Sequence, residues 1–526
     1  MTPPDDRDGQ GSQGGQGGGQ DGQGGGQGRS GGGGRGQGGR GGGQGRGTGQ
    51  GRRDDRRGRP SRSGPPPRRS TPARPPEPAG DPARTAAFEL LTAVRERDAY
   101  ANLAMPAILR RHRLTGRDAA LATELGYGAC RARGLLDAVI EACADRPLNR
   151  IETHLIDAMR LGAYQLLRTR IPPHAAVDSS VELVRPGSGS RSAGFVNAIL
   201  RKVGERTEAE WVAELAPDAA TDPVGHLAFA HAHPKWIAQA FLDALHGSVE
   251  ELSALLAADD ARPTVHLLAR PGEITAEELA LTTGGEEAPY SPYGVRLEGG
   301  DPAGLDAVSE GLAAVMDEGS QLVALGLARA PLYGADTGRW LDLCAGPGGK
   351  ATMLGGLAAL DGGTLDAVET AEHRADLVRR ATKDLPVTVH TADGRDPGLP
   401  PDAYDRVLVD VPCTGLGALR RRPEARWRRQ PSDVAGLTAL QRELLTSALR
   451  HVRVGGVVAY ATCSPHVAET HGVLARVLRG RADVEQLDAR AVLDGVPDLG
   501  AGPAVQLWPH RHGTDAMYLA LLRRTG

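Results

Sequence analysis

Two cysteines and one aspartate in this chain stand where they could do chemistry. The segment "DVPCTGLGALRRRPEARW" (Asp410 to Trp427) follows the apolar run "YDRVLV", and "YATCS" (Tyr460 to Ser464) closes the run "GGVVAY". Both runs read as strands, which puts Asp410, Cys413 and Cys463 at strand ends. Taken singly, a cysteine at such a position reads as packing. Two thiols beside a carboxylate suit covalent catalysis at an electron-poor ring carbon. Carbon 5 of a cytosine is a poor nucleophile, but a thiolate added to C6 turns the ring into an enamine. Its C5 can attack an electrophilic methyl group if charge at N3 is offset. Asp410 is placed for that offset, and a second group must take the C5 proton before the thiolate can leave. Spacing alone leaves open which sulfur attacks.

Such chemistry needs a donor, and the sequence offers a cradle for one. The run "RWLDL" leads into "CAGPGGKA" (Cys344 to Ala351), whose glycines allow a tight turn and a close backbone approach before a helix begins. Lys350 is not followed by the Ser or Thr of a phosphate-binding loop. About twenty residues on, Glu369 ends the next strand, where a carboxylate can accept both hydroxyls of a ribose. Asp393, in "TADGRD", ends a third strand within reach of an adenine amino group. A nicotinamide-binding fold would share the ribose acid, so the glycine turn alone does not choose between cofactors.

The elements that must position these groups follow from periodicity. From about residue 306 onward, "RWLDLCA", "TLDAVET", "VTVHTAD", "YDRVLVDVP" and "GGVVAYATC" alternate with helical stretches, the pattern of a doubly wound sheet with right-handed crossovers. Ligands of such sheets lie beyond the carboxyl ends of the strands. Residues 83–205 carry apolar positions at helical spacing: Ala87, Leu90, Leu91 and Val94, then Leu121, Leu125 and Cys130, then Leu136, Val139 and Ile140, then Leu155, Met159, Leu161 and Leu166. Breakers at Gly116, Pro147, Pro172 with Pro173, and Pro186 with Gly187 divide them into short helices. Residues 206–305 read as a linker and a small α+β unit with a strand in "PTVHLLAR" and another in "YGVRLEG". Between them lies a helix whose N-cap is Thr275, with Glu278 completing a capping box. Residues 1–82, almost wholly Gly, Gln, Arg, Pro and Ser, read as a disordered arm.

Charge and cysteine usage bound the classes. The formal net charge of −3 over 526 residues hides a basic arm, with fourteen arginines against seven acids in the first eighty residues. That arm suits either loose contact with a polyanion or simple solubility. Five cysteines without a C-x-x-C pair indicate neither a disulfide framework nor a zinc site. No apolar run is long enough for a membrane span and no export signal opens the chain, so a cytoplasmic protein is expected.

Two resemblances sharpen these readings. "DAMRLGAYQLL" and "IPPHAAVDSSVELVRPGSGSRSAGFVNAILRKV" (Ile171 to Val203) resemble the NusB-type RNA-binding domain, which implies a recognition role for the helical part. "DEGSQLVALGL" (Asp317 to Leu327), "LDLCAGPGGK", "DVPCTG", "RRRPEARW", "YATCS" and "PHRHGTDAMYLALL" (Pro509 to Leu522) together resemble the bacterial Fmu/Sun, or RsmB-type, family of small-subunit ribosomal RNA cytosine-5 methyltransferases. The resemblance implies a Rossmann-like catalytic domain with a seven-stranded, mostly parallel sheet, S-adenosylmethionine as cofactor, 16S rRNA as partner, free or in an early assembly intermediate, and a monomer without metal. By the family pattern Cys463 is the nucleophile and Cys413 assists breakdown of the adduct. Cys344, Ala345, Gly346, Pro347, Gly348, Gly349, Lys350, Glu369, Asp393 and Asp410 surround the cofactor, with Lys350 also among the catalytic groups. The rival within enzymes is Cys413 as nucleophile, the role its Pro-Cys equivalent has in DNA cytosine-5 enzymes; the rivals beyond it are a small-molecule methyltransferase and a binding protein with a vestigial catalytic fold. Three positions depart from the pattern: Glu469 is followed by Thr470, the usual Gly-Phe-Phe is Ala516, Met517, Tyr518, and Glu369 replaces an aspartate. The run containing Arg420, Arg421, Arg422 and Arg426, continued by Arg428 and Arg429, is expected to contact RNA phosphates at the rim of the site. Trp427 reads as packing.

Overall fold

A computed structural model describes residues 81–526, apart from the side chains of residues 186–188. The expected disordered arm lies outside the described residues except at its end. Asp81 accepts the Ala83 and Arg84 N–H groups at 2.9 and 3.1 Å and caps the helix Pro82–Arg97, so the last two residues assigned to the arm start the helical part.

Five further helices complete that part: Ala101–His112, Gly116–Arg131, Arg133–Ala144, Thr153–Arg168 and Pro173–Val203. Their apolar stripes close on Leu125, Leu136, Ile140, Met159, Leu161 and Leu200, all essentially inaccessible. Helices approach where side chains vanish: a Cβ on Gly128 would lie 2.0 Å from the Tyr164 ring. The break expected at Pro186 and Gly187 occurs at Gly189, where φ of 71° interrupts the last helix.

The next segment corrects the expected linker. Helices Glu208–Leu215, Pro223–Ala230, Lys235–Ala244 and Val249–Asp260 fill residues 208–260. Three of them bury Val224, Ile237, Phe241 and Leu252 against Leu416, Leu419 and Trp508 of the C-terminal body. Their short lengths and frequent caps hid this apolar periodicity.

A small antiparallel sheet follows, in the order β2-β3-β1-β4, from β1 (Val265–Ala269), β2 (Glu286–Glu287), β3 (Gly294–Leu297) and β4 (Ala313–Val315). The helix Ala276–Thr283 begins with the expected capping box: Thr275 Oγ1 accepts from Glu278 N and Glu278 Oε2 accepts from Thr275 N. Because β4 lies past residue 305, the boundary expected there cuts through this sheet.

The main sheet contains β5 (Arg339–Asp342), β6 (Thr364–Glu369), β7 (Val387–Thr391), β8 (Tyr404–Asp410), β9 (Val452–Thr462), β10 (Val484–Leu487), β11 (Val505–Gln506) and β12 (Tyr518–Arg524). Seven strands run in the order β10-β12-β9-β8-β5-β6-β7, with two-residue β11 added beside β12. The pairs among β5 to β9 are parallel and those of β12 antiparallel, the doubly wound arrangement expected. Both faces are covered: Val407 and Val409 pack with Leu444 and Leu445 of the helix Asp433–His451, while Leu408 packs in the core containing Leu322 and Leu354 on the other side. Adjacent β8 and β9 pair Asp410 with Ala461, so both strands deliver their carboxyl ends to one edge.

The helical part and the catalytic body meet at residues 420–429. Arg426, fully buried, donates to the carbonyls of Arg131, Ala232 and Asp259 at 3.3, 3.5 and 2.6 Å. Arg428 donates to Val94 O and Ala99 O at 3.1 and 2.7 Å. Trp427 lies flush against Gly134, where an added Cβ would come within 2.1 Å of the indole. The rigid ring must then move or the helices part. Gly134→Ala is expected to cost about 1–3 kcal/mol, read as a lower thermal midpoint with altered tryptophan fluorescence; an unchanged midpoint would show that this seam is not tightly packed.

Candidate active site

The edge formed by β8 and β9 gathers the groups singled out from the sequence. Asp410, the last residue of β8, accepts from Lys350 Nζ at 2.7 Å, and Lys350 also reaches Ser320 Oγ at 3.2 Å. Three residues on, Cys413 Sγ lies 3.5 Å from Cys463 Sγ, which follows the end of β9. The sulfurs are separated by fifty residues of chain and meet because their strands are parallel neighbours. The Cys463 turn is held to the other loop by Gly417 N–H, which donates to Cys463 O at 2.8 Å. A Cβ on Gly417 would stand 2.2 Å from Ala516 O, so this approach requires glycine.

The two thiols are unlike. Donation from Cys413 holds Cys463 below the ordinary thiol value; burial and Asp410 oppose this, and Arg422 and Lys350 support it. Cys413 is pushed well up by that same hydrogen bond, then by burial and by the charges of Cys463 and Glu469. The hydrogen bond between them thus makes Cys463 the more acidic of the two thiols. Burial works against the Lys350 ammonium, but the Asp410 carboxylate outweighs it and raises its pKa.

The glycine turn after β5 lies beside this pair. Gly346 has no room for a side chain: a Cβ there would sit 2.0 Å from Glu369 Oε2. Glu369, at the end of β6, accepts from Ala371 N at 3.0 Å and faces Arg374 at 3.2 Å, while Arg374 donates to Gly346 O at 2.7 Å. Gly348, at φ of 119°, turns the chain into the helix Gly349–Leu360. Cys344 and Ala345 link β5 to this turn, Ala345 N donating to Val368 O at 2.9 Å, and Pro347 lies within it. Asp393 follows β7 and is paired with Arg395, whose Nη2 is 2.6 Å from Oδ2.

Four arginines expected to contact RNA do not form one rim. Arg420 is buried, donating to Asp515, Gly513 O and Asp317, and Arg421 donates to the same two carboxylates. Arg426 is buried in the seam described above. This corrects the expectation for all three: their guanidinium groups are committed to internal acceptors. Arg422 alone is exposed, with its guanidinium 5.9 Å over the Tyr100 ring.

Three groups escaped sequence reasoning. Asp342 ends β5 with one oxygen accepting Cys344 N at 3.3 Å and the other buried without a partner. Burial, Asp410 and Glu369 push its pKa up to about 7. Asp317 ties the small sheet to the catalytic loop through His266, Arg421 and the Asp515 N–H. Glu469, noticed only for its neighbour Thr470, is fully buried under both cysteine loops. Position beside the "CAGPGG" turn was the one signal that could have marked Asp342. Among the described residues no cluster of His, Cys, Asp and Glu could hold a metal ion, and no helix is long and apolar enough to cross a membrane.

Comparison with known proteins is consistent along the chain. Residues 331–523 match the family model for 16S rRNA methyltransferase RsmB/F, and residues 81–205 match the NusB family. The chain is 60% identical over 445 residues to the putative methyltransferase Rv1407 of Mycobacterium tuberculosis, covering 84% of this chain and 97% of that one. It is 31% identical over 423 residues to ribosomal RNA small subunit methyltransferase B of Pectobacterium atrosepticum, covering 78% and 91%. The crystal structure of PH0851 shares the fold at a TM-score of 0.70 and 22% identity, over 85% of this chain and 99% of that one.

The Asp342 shift has a sign that can be measured. Its folded pKa lies above that of an ordinary carboxyl, so between about pH 4 and about pH 7 the native state holds a proton that the unfolded chain has released. Stability falls as pH rises through that window, and the loss is complete above it. Asp342→Asn is expected to match the wild type near about pH 4 and to exceed it by roughly 2–4 kcal/mol near about pH 8. Calorimetric midpoints showing a gap that does not widen with pH would contradict this account.

Proposed function

Given that the chain belongs to the 16S rRNA methyltransferase RsmB/F family, we propose that it methylates C5 of a cytosine in 16S rRNA through a covalent bond from Cys463. The observation that carries this reading is the meeting of two sulfurs at 3.5 Å beside the Asp410–Lys350 pair. The acceptor is RNA, free or in an early assembly intermediate, held in part by the NusB-like helices, and the enzyme works as a cytoplasmic monomer.

The residues around the glycine turn fit S-adenosylmethionine. Glu369, Asp393 and Asp410 stand around this turn, each facing one cation, Arg374, Arg395 and Lys350 respectively, and carboxylates there suit the hydroxyl, amino and sulfonium groups of the cofactor better than the phosphates of a dinucleotide. Gly346 leaves space against Glu369 that a side chain would fill, and Asp342 keeps an unsatisfied oxygen. When bound, the cofactor supplies an electrophilic methyl group to the activated C5. Glu369 and Asp393 would hold its ribose and adenine ends, and residues Cys344 to Lys350 its amino-acid end.

The chain's own groups then divide the work. Cys463, the more acidic thiol, adds as thiolate to C6, and the ring electrons move toward N3, which takes the proton passed from the Lys350 ammonium through Asp410 and returns it when the adduct breaks down. Lys350 fixes the Asp410 carboxylate and adds positive potential toward the Cys463 sulfur. Once Cys463 is bonded to carbon, its negative charge is gone and no longer holds the proton on Cys413. Cys413 then gives its own proton to solvent and, as thiolate, accepts the C5 proton, after which the C6–S bond breaks and the Cys463 thiolate returns. Arg422, exposed near Cys463, is the remaining cation of the basic run for a phosphate of the acceptor strand.

Two substitutions test the assignment with purified enzyme, 16S rRNA and labelled cofactor. Cys463→Ala is expected to abolish methylation. Cys413→Ala is expected to leave adduct formation intact and slow its breakdown, so that a denaturant-stable protein–RNA species accumulates. Accumulation in the Cys463 variant instead would reverse the roles and sink the proposal.

A further inference from the structure

Glu469 takes part in no step above, yet its carboxylate is the most heavily engaged group beneath the active site. Oε1 accepts the Thr414 backbone N–H at 2.8 Å and the Gln441 side-chain amide at 2.9 Å. Oε2 accepts the Thr414 hydroxyl at 2.5 Å and the Ser464 hydroxyl at 2.7 Å, and these hydroxyls also meet at 3.0 Å. Thr414 directly follows Cys413 and Ser464 directly follows Cys463. One carboxylate thus grips the residue after each sulfur. Its own backbone is held as well, since the Tyr460 hydroxyl donates to Glu469 O at 2.5 Å.

Four donors can compensate the desolvation of a buried carboxylate, but they do not cancel its field. No cation pairs with Glu469 among the described residues, so its negative potential reaches the neighbouring Cys413 loop. Around Cys463 the surroundings differ: the Asp410 carboxylate acts on it, but Arg422 and Lys350 oppose that charge. A sulfur pair in such a gradient is not symmetric. The sulfur beside the anion that no cation pairs retains the proton, and the sulfur beside the anion that cations oppose carries the charge.

We propose that Glu469 is a positioning residue that holds the two cysteine loops in register and assigns their roles, keeping the proton on Cys413 and leaving Cys463 as the attacking thiolate. The inference rests on the reading of Cys463 as nucleophile. It also gives a physical reason for the Pro-Cys sulfur to be the non-attacking one: Glu469 takes both the backbone N–H and the hydroxyl of the residue after Cys413, but only the hydroxyl of the residue after Cys463.

Alkylation at limiting iodoacetamide tests this in the full-length protein, with the carbamidomethyl group located on Cys413 or Cys463 by peptide mass spectrometry. Wild type is expected to react at Cys463 in preference by about tenfold or more. Glu469→Gln, which keeps the shape and removes the charge, should reduce that preference to about threefold or less. A structural role alone would lower the melting temperature without changing which sulfur reacts. Should Glu469→Gln fail to fold, Glu469→Asp, which withdraws the carboxylate by one methylene, takes its place with a drop of at least about twofold expected. An unchanged preference in the folded variant overturns the role given to Glu469 while leaving Cys463 as nucleophile. A wild-type preference for Cys413 overturns the catalytic assignment itself.

Discussion

The site depends on two thiols being brought to hydrogen-bond distance by the ends of adjacent parallel strands. A parallel pair needs a long crossover, and here fifty residues separate the two sulfurs, including the basic run and the helix Asp433–His451. Loop closure over such a length costs entropy that no local contact repays. The compensation comes from below the sheet edge, where Glu469 binds both cysteine loops and Gln441 of the crossover helix. Each bond in that network is ordinary; their convergence on one buried carboxylate removes the freedom of two loops at once.

The same logic organises the arginine run. A sequence of six arginines within ten residues reads as a solvated or nucleic-acid-binding face, because charged groups are rarely fully buried. In the fold these side chains act as internal ties. Arg420 and Arg421 converge on Asp317 and Asp515, Arg426 and Arg428 donate to carbonyls at the ends of helices, and Arg429 donates to Thr414 O at 3.0 Å. A guanidinium presents several donors in a fixed plane, which lets one side chain satisfy acceptors on elements far apart in sequence. The segment between β8 and its following helix is consequently a bracket linking the NusB-like helices, the short helices of residues 208–260 and the loop that carries Cys413. The helical part and the strand ends that carry the candidate site share one mechanical connection.

Acidity around the glycine turn has a similar structural origin. Parallel strands place Asp342, Glu369 and Asp410 at neighbouring carboxyl ends, where Lys350 from the following helix meets Asp410 and Arg374 meets Glu369. Mutual repulsion and burial leave Asp342 holding a proton near neutrality.

Much of this was written in local pattern. Apolar runs located β5 to β8 almost to the residue and β9 without its first three, the capping box at Thr275 placed its helix, and the glycine turn, Asp410, Cys413 and Cys463 could be assigned to one edge of the sheet. These signals survive in sequence because they report on a strand's own burial or a turn's own torsion angles, which are decided within a few residues. The helices of residues 208–260, the strand β4 beyond the expected boundary, the inward fate of Arg420, Arg421 and Arg426, and the clamp at Glu469 were decided only by tertiary structure. Each depends on acceptors or apolar faces supplied by segments tens to hundreds of residues away, and a charge or an amphipathic stripe does not reveal its partner until the chain has folded around it.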